Sequence, residues 1–408
     1  MIGTPLARAV LGMLYFTLVM ASYYLLKPIR EALFLETQGV YSFPVVHLWN
    51  CLATLLAAQA YDLAARRWRP GRLAIWSGPW LAAQILGFAL VMQHGWFAGV
   101  LPWLYYVWVS VFSVFAPTLL WTLVNNAFTT PEGEKYFGLV AAGGILGGMA
   151  GSYLTHQLAG WERAGVLLVA AAILAPVCLL AIPLDRARLP EKVGLKQAEP
   201  GHSAWGLLRD RYLAGIAALM FLIMLGAEFA DHQTQLLLAD AGLKGSALTR
   251  WYGSMYGLTN ALGLVLNLLF SRVLLKRFGP APGLLALQLA VICKALAITC
   301  WPRPDALMYA LSLDLGIHYS LFQASKEVLY LPNHPEVKYR AKTLIDTFFF
   351  RFGIGLGAIL VLFPLRQLNL PGLSLCVLAT SLACLALCLW LGREFEERVR
   401  QGSFRRVA

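Results

Sequence analysis

The longest polar stretch of the chain, residues 184–205, reads LDRARLPEKVGLKQAEPGHSAW and separates two long apolar regions. The chain has 408 residues, of which 59% are hydrophobic and 13% are charged, and its mean hydropathy is +0.64. A soluble domain cannot bury that much apolar surface. The composition therefore predicts an integral membrane protein, and the polar stretch predicts a linker between its two parts.

Apolar runs of about 17 to 25 residues, the length needed to cross a bilayer, recur on both sides of this linker. The first run lacks a small-residue cleavage site, which indicates a retained span and not a signal peptide. Six runs before the linker and six after it match the 6+6 plan of major facilitator transporters. The sequence thus predicts an all-α polytopic membrane protein with twelve transmembrane helices and a major facilitator-like pseudo-repeat. The predicted spans are 8–26, 41–63, 73–93, 97–126, 135–158, 163–184, 211–235, 249–275, 282–301, 305–325, 339–365 and 371–392.

The spans define four expected regions: an N-terminal half at 1–184, a cytoplasmic linker at 185–210, a C-terminal half at 211–393 and a cytoplasmic tail at 394–408. An even number of spans places both termini on one side of the membrane. Most of the 33 basic residues fall on that side, which the positive-inside rule makes cytoplasmic. The rule accounts for the net charge of +12, so the lipid bilayer is an expected partner and nucleic acid is not.

Motifs of enzyme chemistry are missing from the sequence. The chain contains no HExxH, no GxSxG and no phosphate-binding GxxxxGK[ST], which argues against an enzyme and against an ATP-driven pump. Its seven cysteines lie within apolar runs and form no CxxC pair, so they are expected to serve packing. We therefore expect no metal and no cofactor.

Charged residues interrupt the apolar sequence near the end of the first span, where residues 22–34 read SYYLLKPIREALF. A charge at membrane depth costs about 2.5–3.5 kcal/mol on insertion scales, so it normally faces a wet cavity or a partner. Lys27, Arg30 and Glu31 are spaced to share one helical face, and Pro28 is expected to bend or break the helix. Two interpretations stand: the three line a cavity, or they extend to the outer interface.

The second half also carries charges within its spans. Arg351 and Asp346 are five residues apart, about 140° round an α-helix, so Arg351 is expected to find its partner elsewhere. Asp314 and His318 have the i, i+4 spacing of a helical pair, which fits a proton relay or plain packing. Asp231 either takes part in coupling or borders the outer mouth.

The basic residues of the two halves predict an anion site. Lys27 and Arg30 in the first half and Arg351 in the second would line a positive cavity between them. Arginine can hold a phosphate or carboxylate through two parallel hydrogen bonds, while lysine acts as a point charge. Glu31 and Asp346 either balance these bases in the empty protein or couple protons.

Other residues of the spans are expected to serve packing. The fifth span contains GLVAAGGILGGMAGS at 138–152, whose glycines recur at four-residue spacings that permit close helix approach. Tyr23 either packs or offers a stacking surface to a ring of the solute. Lys294, alone in the ninth span, is interpreted as structural or lipid-facing.

Residues 319–358 read YSLFQASKEVLYLPNHPEVKYRAKTLIDTFFFRFGIGLGA and resemble the bacterial and plastidic ATP/ADP exchanger family. Two further stretches are similar to that family: YYLLKPIREAL at 23–33, and NNAFTTPEGEKYFGLVAAGG at 125–144, which contains Asn125 and Lys135. The residues of the first stretch that match the family pattern are Lys326, Glu327, Tyr330, Pro332, Lys342, Asp346 and Arg351.

The resemblance implies a facilitator-type exchanger of nucleotides such as ATP and ADP in a bacterial cytoplasmic membrane. It implies that the basic residues of the first helix and Arg351 contact phosphates, with Asn125 in the same site. The chain departs from the family pattern at Gln323, which is acidic in relatives, and at Ile354, which is often lysine. The seventh span, which reads EFADHQTQ at 228–235, also lacks a basic residue common there.

Together the residues and the resemblance favour a secondary transporter of a small anionic solute, which works by alternating access. Two alternatives remain open. The first is a flippase for an anionic amphiphile such as a lysophospholipid, which would need a cavity that opens sideways to lipid. The second is a membrane scaffold or sensor that transports nothing and presents its loops to a partner.

Overall fold

A computed structural model describes residues 4–187, 204–333 and 335–405. Residues 188–203 of the predicted linker and 406–408 of the predicted tail lie outside these ranges. Three π-helical turns occur in the described chain, at Asn267–Ser271, His318–Phe322 and Ile345–Phe349. The α-helices of the described chain are α1 (Pro5–Gln38), α2 (Phe43–Arg67), α3 (Pro70–Gln93), α4 (Leu101–Ala127), α5 (Thr130–Leu158), α6 (Arg163–Leu174), α7 (Val177–Arg186), α8 (Arg211–Asp240), α9 (Gly245–Leu266), α10 (Arg272–Phe278), α11 (Ala281–Cys300), α12 (Pro304–Ile317), α13 (Gln323–Leu329), α14 (Pro335–Leu344), α15 (Phe350–Leu362) and α16 (Leu370–Arg405).

Eleven helical segments in the described chain are long and apolar enough to cross a membrane. They correspond to eleven of the twelve predicted spans. The tenth predicted span lies in α12, the π-turn and α13, where Asp314, His318 and Gln323 dilute the apolar sequence. The sixth span consists of two helices, because Pro176 separates α6 from α7. The prediction of an all-α fold with many helices long enough to cross a membrane is confirmed.

The chain forms two compact units, which we call unit 1 and unit 2. Unit 1 contains Met1–Gly39, Trp49–Val193 and Leu243–Asn260. Unit 2 contains Val40–Leu48, Gly194–Gly242 and Ala261–Ala408. Helices α2 and α9 are therefore each divided, with one part in either unit.

Unit 1 is organised round α1, which packs against α4, α5, α6 and α7. The closest of these neighbours is α5, because its glycines leave room for the α1 backbone. A Cβ atom at Gly143, Gly147 or Gly151 would overlap a backbone oxygen of α1. The close helix approach predicted from the glycine spacing is confirmed.

Helix α1 continues unbroken through Pro28 and ends at Gln38, so the predicted end of the first span at residue 26 is wrong. Pro28 has no N–H and therefore cannot bond to the carbonyl of Tyr24, four residues earlier. The Thr155 hydroxyl of α5 donates to that carbonyl at 2.9 Å. A side chain from the neighbouring helix thus satisfies the carbonyl that proline leaves free, and the helix extends past it.

In unit 2, α8 packs against α15 and α16, and α11 packs against α12 and α16. Gly353 and Gly357 of α15 allow this approach, since a Cβ on either would lie under 3 Å from atoms of α8. The core contains large buried side chains such as Tyr212, Phe322 and Tyr330. Charged residues of unit 2 lie on the helices of this packed core.

An ion pair closes one end of α8 in unit 2. Asp210 caps the helix by accepting from the Tyr212 N–H at 2.9 Å, and Arg398 donates to both of its carboxylate oxygens at 2.6 and 3.0 Å. Burial acts to raise the pKa of Asp210, but the hydrogen bonds from Arg398 and the Tyr212 backbone outweigh it and hold that pKa below its usual value. The pair therefore contributes to stability only while Asp210 is ionised.

The stability of the protein is expected to depend on pH through Asp210. A folded-state pKa below the unfolded value of about 3.9 means that the stabilisation is present above about pH 4 and is lost as the pH falls further. Asparagine caps a helix as well as aspartate, so Asp210→Asn removes the charge and keeps the cap. We expect this variant to melt below wild type at pH 7, with the difference closing on acidification.

Melting temperatures measured from about pH 7 to pH 3 test this dependence. Asp305→Asn is the matched control, because the Asp305 side chain is 71% exposed. A gap between wild type and Asp210→Asn that stays constant on acidification would contradict the ionic contribution.

Candidate functional site

Four of the predicted site residues lie together on α1 in unit 1. Arg30 and Glu31 form an ion pair, and both side chains are buried. Arg30 also donates to the Ser110 hydroxyl of α4 at 3.0 Å, and its guanidinium lies 4.3 Å from the centre of the Tyr106 ring. The Tyr106 hydroxyl donates to Glu31 at 3.2 Å. Charge and hydrogen bonding at this pair are thus largely satisfied within unit 1.

Lys27, one turn earlier on α1, has a different environment. Its ammonium lies 4.0 Å from the centre of the Tyr256 ring of α9, and 5.7 and 5.8 Å from the rings of Tyr24 and Tyr23. No carboxylate of the described chain lies within ion-pair distance of it. A ring face attracts a cation but does not accept the N–H bonds that a carboxylate would. We call Lys27 with these three tyrosines the Lys27 cage.

The cage is held from two sides. Tyr23 stacks on Phe112 of α4, with ring centres 6.1 Å apart, and Tyr24 meets Tyr256 edge to face at 5.9 Å. The three rings are fixed by packing, so the ammonium is held at one position while it stays partly accessible. An immobile cation without a counter-ion is suited to binding an anion.

Unit 1 also contains a cavity of about 660 Å³, lined by parts of α1, α3, α4, α6 and α9. Its cation, Arg163, is balanced by Glu36 at 2.5 Å, and Glu36 also accepts from the Gly245 N–H at the start of α9 at 2.6 Å. The arginine of this cavity therefore differs from Lys27, because it has a carboxylate partner.

Arg351 is the corresponding unpaired cation of unit 2. It lies at the start of α15 directly after a π-turn, is half-buried and has its guanidinium 5.8 Å from the centre of the Phe350 ring. Within the described ranges no carboxylate pairs with it. Its planar guanidinium can bind phosphate or carboxylate through two hydrogen bonds.

The remaining basic residues predicted in unit 2 are paired. Lys326 donates to both oxygens of Asp346 at 3.2 and 3.3 Å, and Lys342 donates to both oxygens of Glu327 at 2.8 and 2.6 Å. Both pairs link α13 to the segment formed by α14 and its π-turn. They cross-link consecutive elements and carry no free charge.

Comparison with solved structures gives the architecture. The chain is similar to the nucleoside transporter NupG, with a TM-score of 0.65 and 15% identity over 97% of this chain and 98% of that one. The chain has a major facilitator fold. It is also similar to a bacterial homologue of the human lysosomal transporter Spinster (TM-score 0.61, 15% identity, 97% and 98% covered) and to a bacterial homologue of the iron transporter ferroportin (0.64, 12%, 95% and 99%). No family model and no curated protein sequence matches the chain.

Within this facilitator fold, the structure gathers some predicted residues and separates others. Tyr23, Lys27, Arg30 and Glu31 are neighbours on α1, as their spacing predicts. Asn125 is exposed near the end of α4 and has no described contact with them. Its assignment to the substrate site stays a prediction.

Asp346, Asp314 and Lys294 have partners that the sequence analysis did not identify. Asp346 forms an ion pair with Lys326. The base that it balances in the structure is therefore Lys326 and not one of the predicted substrate-binding bases. Lys294 pairs with Asp314, and both are buried. The interpretation of Lys294 as lipid-facing is wrong, because its charge is neutralised inside unit 2. His318 and Asp231 lie beside this pair at a common cavity.

Sequence reasoning also missed residues that complete these groups. Tyr256 comes from α9, more than two hundred residues after Lys27, and no local pattern links the two. Tyr106 and Ser110 of α4 are four residues apart, a spacing that marks one polar stripe on an apolar helix. That stripe could have indicated the partner surface for Arg30.

Proposed function

We propose that this protein is a secondary transporter that moves a small anionic, phosphorylated solute across a bacterial cytoplasmic membrane by alternating access. The observation that carries the proposal is the Lys27 cage, where a cation at membrane depth has aromatic faces and no counter-ion. A bound anion would supply the missing charge. Arg351 offers a second unpaired cation for the same solute chemistry.

The contrast with the other charges supports this assignment. Arg30, Lys294, Lys326 and Lys342 each have a carboxylate partner. Leaving a cation unpaired at membrane depth costs free energy that the fold avoids at these four positions. Lys27 and Arg351 have no carboxylate partner among the residues that the structure describes, so the protein bears this free-energy cost at both positions. An anionic ligand can offset the cost because each of the two charges is free to bind it.

The solute we propose is a nucleotide such as ATP or ADP, moved by exchange. The support is the resemblance of residues 319–358 and 23–33 to nucleotide exchangers. Ile354, where that family often has lysine, and the seventh span, which lacks a basic residue common there, reduce the positive charge relative to that family. We therefore expect a lower affinity for the triphosphate than a site with more basic residues would have.

The cycle we propose uses the two predicted halves, 1–184 and 211–393, as its moving parts, joined by the linker at 185–210. Both termini, including the tail at 394–408, face the cytoplasm in this arrangement. Glu31 balances Arg30 when the solute is absent. The side chains of such a transporter catalyse no reaction. They bind the charged solute, balance one another's charges when it is absent, and release it.

Ligand stabilisation of the purified protein tests the proposal. We expect ATP or ADP to raise the melting temperature, because a ligand at a hundredfold excess over its Kd stabilises the folded state by about 2.7 kcal/mol. Lys27→Gln and Arg351→Ala should each weaken this effect about tenfold or more in ligand concentration, since a hydrogen bond to a charged group contributes about 1.5–3 kcal/mol. Lys244→Gln, at an exposed position, is the control.

Other outcomes identify the alternatives. A shift with lysophospholipid and none with nucleotides would replace the exchanger by a flippase of anionic amphiphiles. No shift with any phosphorylated compound would contradict a transporter of this solute class and favour a scaffold or sensor. A nucleotide shift that is unchanged in Lys27→Gln and Arg351→Ala would place the binding site elsewhere.

A further inference from the structure

Unit 2 contains a charge pair that the proposed solute site does not use. Lys294 of α11 and Asp314 of α12 form a salt bridge in which Lys294 is 3% and Asp314 6% exposed. Burying two charges costs several kcal/mol per ion, and replacing such a pair by apolar residues is often neutral or stabilising. The pair is therefore poorly explained by stability, and its surroundings indicate another use.

A cavity of about 130 Å³ adjoins the pair. Helices α8, α11, α12 with its π-turn, and α16 line it, and His318, Gln288 and Asp231 are among its lining residues. Each water of the liquid occupies about 30 Å³, so the cavity has room for a few water molecules. Both Asp314 and Lys294 line this space, so water can reach the pair.

Two features show that the cavity accommodates polar contents. The Nε2 atom of Gln288 is buried and has no hydrogen-bond partner among the described residues, although buried amides nearly always have one. A water in the cavity would accept from it. His318 begins a π-helical turn, a distortion that is frequent at functional sites because it exposes backbone and redirects side chains.

We infer that the Lys294–Asp314 pair is a proton-exchange site of the transport cycle, an inference that rests on the proposed transport function. A hydronium ion in the cavity transfers its proton to a carboxylate oxygen of Asp314 and remains as water. The new O–H bond removes the negative charge that holds Lys294. Release reverses the step: the proton returns to a cavity water, and the salt bridge forms again.

The other ionisable groups round the pair come from each packed element. Asp231 of α8 borders the cavity and is exposed at the surface of the protein. His318 and Tyr319 come from the π-turn, and Cys384 from α16. Lys326 of α13 acts electrostatically on His318, but Asp346 balances its charge. Among these groups, Asp314 is the buried carboxylate with a direct cationic partner.

The two charge states of the pair favour different packing. With Asp314 ionised, α11 and α12 are drawn together by the salt bridge. With Asp314 protonated, Lys294 remains charged without its counter-ion and is driven toward water or another partner. A proton can therefore shift the balance between two arrangements of these helices, which is what coupling to transport requires.

Infrared difference spectroscopy of the reconstituted full-length protein tests the site, with pH as the probe and no solute present. We expect a carboxylic-acid C=O band that appears on acidification over the pH range in which the protein stays folded. The band should disappear in Asp314→Asn and persist in Asp305→Asn, whose exposed acid lies in the first turn of the same helix. In Lys294→Met its midpoint should rise by about one to three pH units, since a neighbouring cation favours the ionised acid.

The double variant Lys294→Met with Asp314→Leu controls for misfolding of the single variants. Because it removes the two charges together, it leaves neither of them buried without its partner. We expect it to fold and to lack the band. A band unchanged in Asp314→Asn, or the absence of any titrating carboxyl in wild type over this range, would overturn the inference and leave the pair as a structural salt bridge. Because no solute is used, this result is independent of the nucleotide stabilisation that tests the proposed function.

Discussion

Replacing Glu31 with glutamine is expected to cost about 3–5 kcal/mol of folding free energy, because it leaves the Arg30 charge buried without a counter-ion. Arg30 is 8% and Glu31 5% exposed, so water cannot take over the role of the lost carboxylate. Ser110 and the Tyr106 ring remain as partners of the guanidinium, but neither carries a negative charge. The measurement is the melting temperature in detergent, together with the yield of monodisperse protein.

A double variant separates charge from packing at this pair. Arg30→Gln with Glu31→Gln removes both charges, so we expect it to recover most of the stability that Glu31→Gln loses. Glu134→Gln, at an exposed position in the same unit, should melt like wild type. If Glu31→Gln also melts like wild type, the pair is solvated in the folded protein and its assignment as a buried ion pair is wrong.

The same double variant bears on the solute site. If Arg30 contacts phosphate directly, the folded double variant should lose nucleotide stabilisation as Lys27→Gln does. If Lys27 is the binding cation and Arg30 only supports α1, stabilisation should survive. The two roles predicted for Arg30 are thus distinguished in a protein that folds.

The hydropathy and charge pattern of the sequence was sufficient to predict the fold. The number of spans and the polar stretch between the sixth and seventh follow from chain composition, because a membrane allows only segments that satisfy their own backbone. The grouping of Lys27, Arg30 and Glu31 also follows from helical spacing. Spacing favours Lys27, four residues before Glu31, as the partner of this acid, whereas the structure pairs Glu31 with the adjacent Arg30.

The Lys294–Asp314 pair could have been found from the sequence by a different route. Lys294 lies six residues before the end of α11 at Cys300, and Asp314 lies ten residues after the start of α12 at Pro304. Because a short loop joins these consecutive apolar helices, the two residues lie at comparable depths on neighbouring antiparallel segments. Opposite charges at equal depth favour pairing because each is costly alone. When each helix is considered separately, the sequence indicates no partner for Lys294.

The pairing of Asp346 illustrates a limit of helical geometry. The angle of about 140° between Asp346 and Arg351 assumes 3.6 residues per turn. Ile345–Phe349 is a π-helical turn, whose hydrogen bonds run from residue i to i+5 and change that angle. Nothing in the local sequence IDTFF indicates the π-turn, so the contact of Asp346 with Lys326 depends on tertiary packing.

Replacing Gly147 with alanine is expected to destabilise unit 1, although the same change usually favours a helix. Alanine stabilises an open helical position by about 0.5–1 kcal/mol relative to glycine. At Gly147 the new methyl would overlap the backbone oxygen of Thr17 on α1, and a backbone atom cannot move away as a flexible side chain can. Overpacking costs about 1–3 kcal/mol or more, so the net effect should be a lower melting temperature.

Gly138→Ala is the matched control on the same helix, because a Cβ there meets no atom within 4 Å. It should melt at or above the temperature of wild type, and equal melting of the two variants would contradict the close approach of α1 and α5. The effect should also reach the solute site. Since α1 carries Lys27 and α5 supports the carbonyl of Tyr24 through Thr155, displacing α1 should weaken nucleotide stabilisation in the Gly147→Ala protein that remains folded.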